Sequence, residues 1–486
     1  MARVLITNTY FQEFDPKQKK RMQPYPPLGT LYVASVLKAA AYDVHFTDTI
    51  LAKSAKAVFP AIESNAGNIF IICDDGFNYL TKMCLVNMRN ACFEMIQHAK
   101  KWNSTVIVSS SDATDHTQLY LNNGADFIVI GEPENTILEL TDYLCKKNTA
   151  AALSEICGIT YIHSGTLVKT PPRAVMHNLD SLAFPAWQMA DLPAYKKIWL
   201  KKNKYFSLNI TTTRGCPFKC NWCAKPIYGN RYNSRTPENV ADEIEYLIEN
   251  YQPTHFWFCD DIFGLKPGWI KKFSEIVQQR NLHFQFKIQC RADLLLDENN
   301  IAFLAQAGCD EIWIGAESGA QKILDAMDKG ITVEQIYRAT DLMKKNNIKP
   351  CFFLQFGYPG ELQEDIDATL NMLLDLMPYD IGISVSYPLP GTKFYETVKK
   401  DLQQKQNWND SDELALMFHS TFPNAYYKQL HRYVHKRYRI AQTITGIKNM
   451  LHLKHMNMVY IRRIFALPYY WTLSVWHKQK MKSLQM

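Results

Sequence analysis

Residues 206–223 read Phe206-Ser207-Leu208-Asn209-Ile210-Thr211-Thr212-Thr213-Arg214-Gly215-Cys216-Pro217-Phe218-Lys219-Cys220-Asn221-Trp222-Cys223. The stretch Phe206–Thr213 is apolar and β-branched, the composition of a strand, and it leads directly into three closely spaced cysteines. The cysteines therefore stand in the loop at a strand's carboxyl end, where parallel α/β sheets keep their chemistry. Three thiolates in one loop are soft donors that select zinc or an iron–sulfur centre. A structural zinc site wants four closed ligands, usually as two pairs, and no second pair stands nearby. Three ligands suit a 4Fe–4S cluster with one iron left open; a zinc-stabilised scaffold stays as the alternative.

Downstream of this loop the strand-helix alternation continues to about residue 388. Strands are expected at His255–Cys259, Phe284–Cys290, Glu311–Ile314, Cys351–Phe356 and Ile381–Tyr387. The helices between them include Pro237–Tyr251, Gly268–Gln279, Val333–Asn346 and Leu362–Met377. Thr236 before Pro237-Glu238 is a helix start, with a hydroxyl cap, proline in the first turn and an acid near the dipole's positive end. Six such units predict a partial (β/α)6 barrel. Upstream, apolar runs at Val4–Thr7, Val44–Phe46, Ile69–Cys73, Val106–Val108 and Phe127–Ile130 alternate with helical stretches Leu31–Ala40, Leu80–Lys101 and Thr136–Lys146. They predict a flavodoxin-like, doubly wound parallel sheet. The fold class is thus α/β, with four expected regions: the doubly wound layer over 1–150, a connecting segment over 151–200 with a hairpin at Gly158–Lys169, the barrel over 201–395, and a helical, basic region over 396–486.

Charge and cysteine usage narrow the partners. The chain has 486 residues and a formal net charge of +7, but no Asp or Glu follows Glu413 while that tail holds 12 Lys and Arg. Residues 1–413 then carry 42 basic and 47 acidic side chains, so the body is mildly acidic and the tail is a basic block. A chain-wide nucleic-acid groove is excluded by that distribution. Most of the 12 cysteines sit singly in apolar runs such as Phe70-Ile71-Ile72-Cys73, and the start of the chain lacks a signal-peptide core, so a reducing cytoplasm is expected.

The segment Thr213-Arg214-Gly215-Cys216 through Cys223, with the aromatic Trp222 before the third cysteine, resembles the cysteine motif of the radical S-adenosylmethionine (SAM) enzymes. Further matching segments follow in order: Phe258-Cys259-Asp260-Asp261, Gln289-Cys290-Arg291-Ala292, Ile314-Gly315-Ala316-Glu317-Ser318-Gly319 and Phe356-Gly357-Tyr358-Pro359-Gly360-Glu361. The resemblance implies that Cys216, Cys220 and Cys223 hold a 4Fe–4S cluster whose open iron chelates SAM, and that reductive cleavage releases a 5′-deoxyadenosyl radical. It further implies a cofactor site formed by Trp222, Asp260, Arg291, Glu317, Ser318 and Gly357. Chemistry suggests Arg291 for the methionyl carboxylate, Glu317 or Ser318 for a ribose hydroxyl or the amino group, Gly357 and Gly360 for close approach to adenine, and Asp260 and Asp261 for orientation. For any one of these, an ion pair or a cap within the fold is the plain alternative, as it is for Lys225 and Tyr228.

The first layer is similar to the cobalamin-binding domain that precedes many such barrels, through Pro26-Pro27-Leu28-Gly29-Thr30-Leu31-Tyr32 and Gly131-Glu132-Pro133-Glu134. That likeness implies a corrinoid site including Leu28, Ser110, Thr114, Gly131 and Glu132. Ser109-Ser110-Ser111-Asp112-Ala113-Thr114 departs from the family's Gly-Gly-x-His-x-Thr pattern, since serine replaces glycine and Asp112 replaces the histidine. A degenerate layer kept for packing is the alternative. Met417-Phe418-His419-Ser420-Thr421-Phe422 and Tyr426-Tyr427-Lys428-Gln429-Leu430-His431-Arg432 are similar to the branch containing anaerobic magnesium-protoporphyrin IX monomethyl ester cyclase. The implied activity is methylation or oxidative cyclisation of a small molecule (tetrapyrrole-like, lipid or natural product), with an electron donor such as flavodoxin or ferredoxin. In the tail, Arg462 and Arg463 precede the aromatic run Ile464–Trp471, which is too short to span a bilayer. A helix covering the barrel is expected there, with a peripheral contact to an anionic membrane as the alternative. The tail histidines, His452 and His455 included, are expected to be surface or packing residues.

Overall fold

Valine- and isoleucine-rich segments at β1 (Arg3–Thr7), β2 (Asp43–Thr47), β3 (Ile69–Cys73), β4 (Thr105–Ser109) and β5 (Phe127–Val129) pair in parallel in the order β2-β1-β3-β4-β5. The computed structural model that shows this describes residues 3–147, 152–225, 227–453 and 464–485. Arg462, Arg463, His455 and the side chain of His452 lie outside the described residues. The expected hairpin is present as β6 (Ile159–His163) and β7 (Thr166–Lys169), but it is more than a connection. β6 pairs antiparallel with β5, Phe127 opposite Tyr161, so the hairpin extends the first sheet to seven strands. It covers an edge of β5 that would otherwise present unpaired backbone groups.

The stretch expected as one helix over Leu80–Lys101 is two, Tyr79–Lys82 and Val86–Lys101. Cys84 between them has φ +55°, and the N–H groups of Val86 and Asn87 donate to the carbonyls of Trp408 and Asn409 instead of continuing the first turn. A distant segment thus sets that helix start.

The second sheet contains β8 (Ser207–Ile210), β11 (His255–Phe258), β12 (Gln285–Cys290), β13 (Cys309–Glu317), β14 (Lys349–Phe356) and β15 (Asp380–Val385). All are parallel, in the order β15-β14-β13-β12-β11-β8. A two-residue ladder, β9 (Thr213–Arg214) with β10 (Asn233–Ser234), brackets the cysteine loop. The helix Pro237–Tyr251 starts where the sequence places it: the Thr236 hydroxyl accepts the N–H of Asn239 at 3.2 Å.

The two sheets share one core. Val4, Ile6, Ile69 and Ile71 fill a cluster on one face of the first sheet, while Leu5, Phe70, Ile72 and Val108 on the other face join the cluster that includes the barrel strands. Alternate strand residues therefore lock the layer against the barrel. The carboxyl-terminal helices Asn424–Leu453 and Leu467–Ser483 pack on each other, with His477 and Gln429 2.8 Å apart, and the Tyr438 hydroxyl donates to the Pro378 carbonyl at 2.5 Å. Among the described residues no helix is long and apolar enough to cross a membrane.

Candidate functional site

The cysteine loop is held by its own chain. Gly215 enters it at φ +78°, and a Cβ there would run into the Arg231 carbonyl oxygen, so only glycine makes this turn. The Lys225 ammonium donates to the carbonyls of Cys216 (3.0 Å) and Phe218 and to Asn230 Oδ1 (2.8 Å). Asn221 donates to the Ala326 carbonyl at 2.7 Å and accepts from the Tyr358 hydroxyl at 3.0 Å. Cys216, Cys220 and Cys223 are each partly exposed, whereas the Trp222 indole N–H is buried without a partner. Burial pushes the Cys223 thiol up to about 12 and raises Cys216, so both stay protonated until a cation displaces the protons. Among the described residues no three His, Cys, Asp or Glu side chains converge on one metal ion.

Around the loop, the predicted residues fall into two groups. Arg291 does reach it: its guanidinium lies 3.8 Å from the Phe218 ring centroid and Nη1 is 3.9 Å from Cys220 Sγ. Its remaining donors are spent on Asp293 (2.9 and 3.1 Å) and on the carbonyls of Lys329 (2.7 Å) and Gly330 (3.1 Å). In this arrangement the fork expected to read a carboxylate is already engaged. Glu317, at φ +56°, is buried and paired with Lys329 at 2.8 Å, with Lys329 also 5.7 Å from the Trp222 ring centroid.

The others hold the backbone. Asp260 is 1% exposed and accepts from the N–H of Thr212 (2.7 Å) and Thr213 (2.9 Å) and from the Thr211 hydroxyl (3.0 Å). It fixes the strand exit that launches the cysteine loop; burial, countered by these bonds, puts its carboxyl at about 6. Ser318 is fully buried and bonds to Thr369 (3.1 Å) and to the Ala320 N–H (3.1 Å), so the ribose role does not fit its present partners. The crowding at Gly357 comes from within the chain, where a Cβ would lie 3.0 Å from Leu416 and 3.3 Å from Tyr427. Gly360 instead faces open space. Asp261 pairs with Lys82 of the first layer at 2.5 Å.

At the carboxyl edge of the first sheet the predicted residues are mostly satisfied internally. Leu28 is buried in the core, Ser110 caps a short helix by accepting from Ala113 (2.9 Å), and the Thr114 hydroxyl donates to the Ser110 carbonyl (2.9 Å). Asp112, in the place of the family's histidine, takes a two-pronged bond from Arg89 (2.7 and 2.5 Å) and one from the Tyr120 hydroxyl (2.6 Å). Glu132 accepts from the Met176 N–H at 2.7 Å through one oxygen; the other is buried 3.8 Å from Arg214 Nη1, without a hydrogen bond among the described residues. Gly131 has φ +85° and faces the Ile227 carbonyl.

Several residues at the site were not singled out from sequence. Lys329 and Lys82 are single charged residues with no local spacing that marks them, and Glu361 closes a quoted segment without a role having been read for it. Burial pushes Glu361 up to about 8; one oxygen accepts the Gly357 N–H at 2.6 Å and the other has no partner. Arg214 and Glu134 lie inside quoted motifs, yet their buried pairing at 2.5 Å across the two sheets follows only from the fold. Tyr228 stacks on Phe77 at 5.2 Å, and Arg214 lies over both rings.

A parallel half-barrel with three cysteines at the carboxyl end of its first strand, set against a doubly wound layer, defines a class of enzyme that works through a cysteine-held cluster. Residues 210–373 match the radical SAM superfamily, so the chain carries a radical SAM domain, and catalysis is supported over the non-catalytic scaffold. It is similar to an uncharacterized methyltransferase of Pyrococcus horikoshii, at 26% identity over 79% of this chain and 81% of that one. It is also similar to the anaerobic magnesium-protoporphyrin IX monomethyl ester cyclase of Rubrivivax gelatinosus, at 29% identity over 56% of this chain and only 48% of the cyclase. The cobalamin-dependent SAM radical enzyme OxsB, solved with aqua-cobalamin bound, shares the fold: TM-score 0.74 and 16% identity over 98% of this chain and 72% of OxsB.

Proposed function

We propose that this enzyme is of the cobalamin-dependent type and methylates or oxidatively cyclises a small molecule held between its two sheets. The observation that carries the reading is the placement of the three-cysteine loop, at the carboxyl end of β8 and facing the carboxyl edge of the first sheet. Partly exposed thiols, the unpartnered Trp222 N–H and the nearby Arg291 cation fit a cluster rather than an ion. A cluster held by Cys216, Cys220 and Cys223 and reduced by a donor such as flavodoxin or ferredoxin would supply the electron for reductive cleavage of SAM.

The chain's own part is orientation and exclusion of water. Cys216, Cys220 and Cys223 are the proposed ligands. Asp260 sets the angle at which the loop leaves β8, and Lys225 closes it. Glu317, paired with Lys329, and Glu361, which accepts the Gly357 N–H, are the acids proposed to face SAM's polar groups, and Arg291 stiffens the loop beside Cys220.

The corrinoid is the component that the side chains accommodate least. A Cβ on Gly76 would lie 2.7 Å from Ile227 and 3.2 Å from the Tyr228 hydroxyl, so the first sheet's edge is closed by the loop that follows the cysteines. A macrocycle enters there only if that loop and residues 74–85 part. What supports the corrinoid is the shared architecture with OxsB and the methyltransferase and cyclase relatives.

The test is anaerobic reconstitution with quantification of iron, cobalamin and 5′-deoxyadenosine. About four irons per chain with deoxyadenosine is the expected result; one zinc and no iron sinks the cluster. Absence of cobalamin at saturation moves the reading to a corrinoid-independent radical reaction, and accumulation of S-adenosylhomocysteine separates methylation from cyclisation. For the tail, Phe465 is 82% exposed just before the helix Leu467–Ser483, on which Trp471 and Trp476 are 62% and 46% exposed and Lys478, Lys480 and Lys482 occupy the last turns, an aromatic and basic surface suited to an anionic membrane. Sedimentation with anionic liposomes checks it, and full-length protein left in the supernatant rejects it.

A further inference from the structure

The second sheet has two unlike faces. Phe256, Phe286, Ile288, Ile312, Ile314 and Phe352, at alternate positions, are completely buried. On the opposite, inner face, Lys287, Glu311, Trp313, Gly315, Phe353 and Gly382 all retain partial exposure. The register brings Lys287 beside Glu311 and Phe353 beside both Gly315 and Gly382. A barrel interior filled only for stability would carry packed branched residues at these positions.

Lys287 is unlike the other cations of this sheet. Lys349 is paired with Asp310 at 2.8 Å, whereas the Lys287 ammonium makes no hydrogen bond or ion pair with any described residue. Its ammonium instead rests 5.4 Å from the Tyr25 ring centroid and 5.5 Å from that of Trp257. Aromatic faces stabilise a cation without using its N–H donors, which stay free for an anion. Glu311 stands on the neighbouring strand without closing on it, so one added negative charge is matched and a second is opposed.

Above Lys287 the inner face becomes flat and apolar. Trp313 and Phe353 lie 4.8 Å apart, tilted by 31°, and lean over Gly382, where a Cβ would come 3.1 Å from Phe353. The top is closed by the Glu317–Lys329 pair, into which a Cβ on Gly315 would project at 2.5 Å from either partner. From Lys287 to Arg291 beside the cysteine loop is four residues of strand, a rise of about 13 Å at ~3.3 Å per residue.

We propose that Lys287 anchors the substrate's carboxylate at the base of this inner face, and that the substrate is a monoanionic, ring-bearing acid lying along Trp313 and Phe353 with its reacting end about 13 Å away at the cysteine loop. A single ammonium suits a carboxylate; a phosphate dianion calls for the several donors of a guanidinium or a helix start, and neither stands beside Lys287. This inference rests on the radical SAM reading for where the reaction occurs, but its test does not depend on turnover.

The test is equilibrium dialysis of the anaerobically reconstituted enzyme with three probes on one ring: 2-naphthoate, 2-naphthamide and 2-naphthylmethylamine. The wild type is expected to bind the acid at least about tenfold tighter than the amide, as a desolvated charge-assisted bond allows. K287M should erase that preference while leaving the amide's affinity unchanged, K287R should keep it, and K349M should not alter it. Circular dichroism confirms that the variants fold, and K287Q replaces K287M if the latter does not. Equal binding of acid and amide by the wild type, no binding of the acid, or a preference that survives K287M overturns the proposal; a preference for the amine assigns the charge recognition to Glu311 instead. Substrate-free deoxyadenosine formation, measured on the same samples, reports separately on the cluster, so failure of the anchor and failure of the radical reading are told apart.

Discussion

The carboxyl edges of the two parallel sheets face each other and are built on opposite principles. At the barrel edge, some polar groups are left unspent: among the described residues the buried Trp222 indole N–H and one oxygen of Glu361 lack hydrogen-bond partners, and the three cysteine thiols are partly exposed. At the first sheet's edge nearly every polar group is spent on its own chain: Asp112 on Arg89 and Tyr120, Asp74 on Thr9, Asp75 on the N–H groups of Gly29 and Phe77. Buried polar groups are normally satisfied, so an edge that leaves them open is arranged for something else to satisfy them. The first edge, as it stands, works as a wall.

The sharpest way to break the comparison is at the open edge. Cys220→Ala removes one of three donors, and both the cluster's visible absorbance and deoxyadenosine formation should fall to background after anaerobic reconstitution. An equivalent loss from Cys84→Ala, a buried thiol of the first layer, would show that the difference between the edges is not real.

The next largest effect lies where the edges are joined. Arg214, launched from the strand exit before the cysteines, forms its 2.5 Å pair with Glu134 at about 2% exposure on both sides. Glu134→Gln leaves the buried guanidinium with only Glu132, 3.8 Å away, as counter-charge, and breaking such a buried pair costs up to about 3–5 kcal/mol. Chemical denaturation should show that loss in a single transition if sheet and barrel share a core; two separated transitions would show that they do not.

How much of this was legible without coordinates depends on the range of the cause. The cysteine triple, the Thr236 cap and the strand-helix alternation are local, and each stands where sequence placed it. The β6–β7 hairpin was legible as a hairpin, but its pairing with β5 is a contact across more than thirty residues that no local pattern encodes. The break in Leu80–Lys101 depends on Trp408 in the same way. Site roles were the least legible. Arg291, Asp260 and Ser318 carry the right chemistry for binding a cofactor, but hydrogen bonds within the chain already claim them. The inner face of the barrel went unread because Lys287 and Glu311 look like ordinary surface charges until the sheet curls around them.

A pH profile sharpens the contrast more finely. Burial raises Asp75 at the closed edge to about 6. The folded state then holds a proton that the unfolded state, at about 3.9, has released. Between these values the native protein binds more protons, so this group's contribution to stability falls as pH rises and levels off above about 6. His255, lowered to about 3, acts in the opposite sense, because protonation favours the unfolded chain as pH falls below its ordinary value. The readout is therefore the difference between Asp75→Asn and wild type. Relative to wild type, the variant should gain up to about 3 kcal/mol between pH 4 and pH 6.5 in urea denaturation, and a flat difference rejects the raised carboxyl.

The smallest effect tests whether the barrel's framework is as local as its sequence signals. Thr236→Ala removes the hydroxyl that accepts the Asn239 N–H, while Asp180 still accepts the Thr236 backbone N–H at 3.0 Å. Only one of the helix's orphan donors is exposed, so the cost should be about 1 kcal/mol in urea denaturation. Deoxyadenosine formation should not change, because the cap lies beyond β10 and its loss is not transmitted to Asp260, the residue that sets the cysteine loop. A fall in deoxyadenosine yield with this variant would mean that the open edge depends on the helix behind it, and that its unspent groups are held by the whole unit rather than by the strand exit alone.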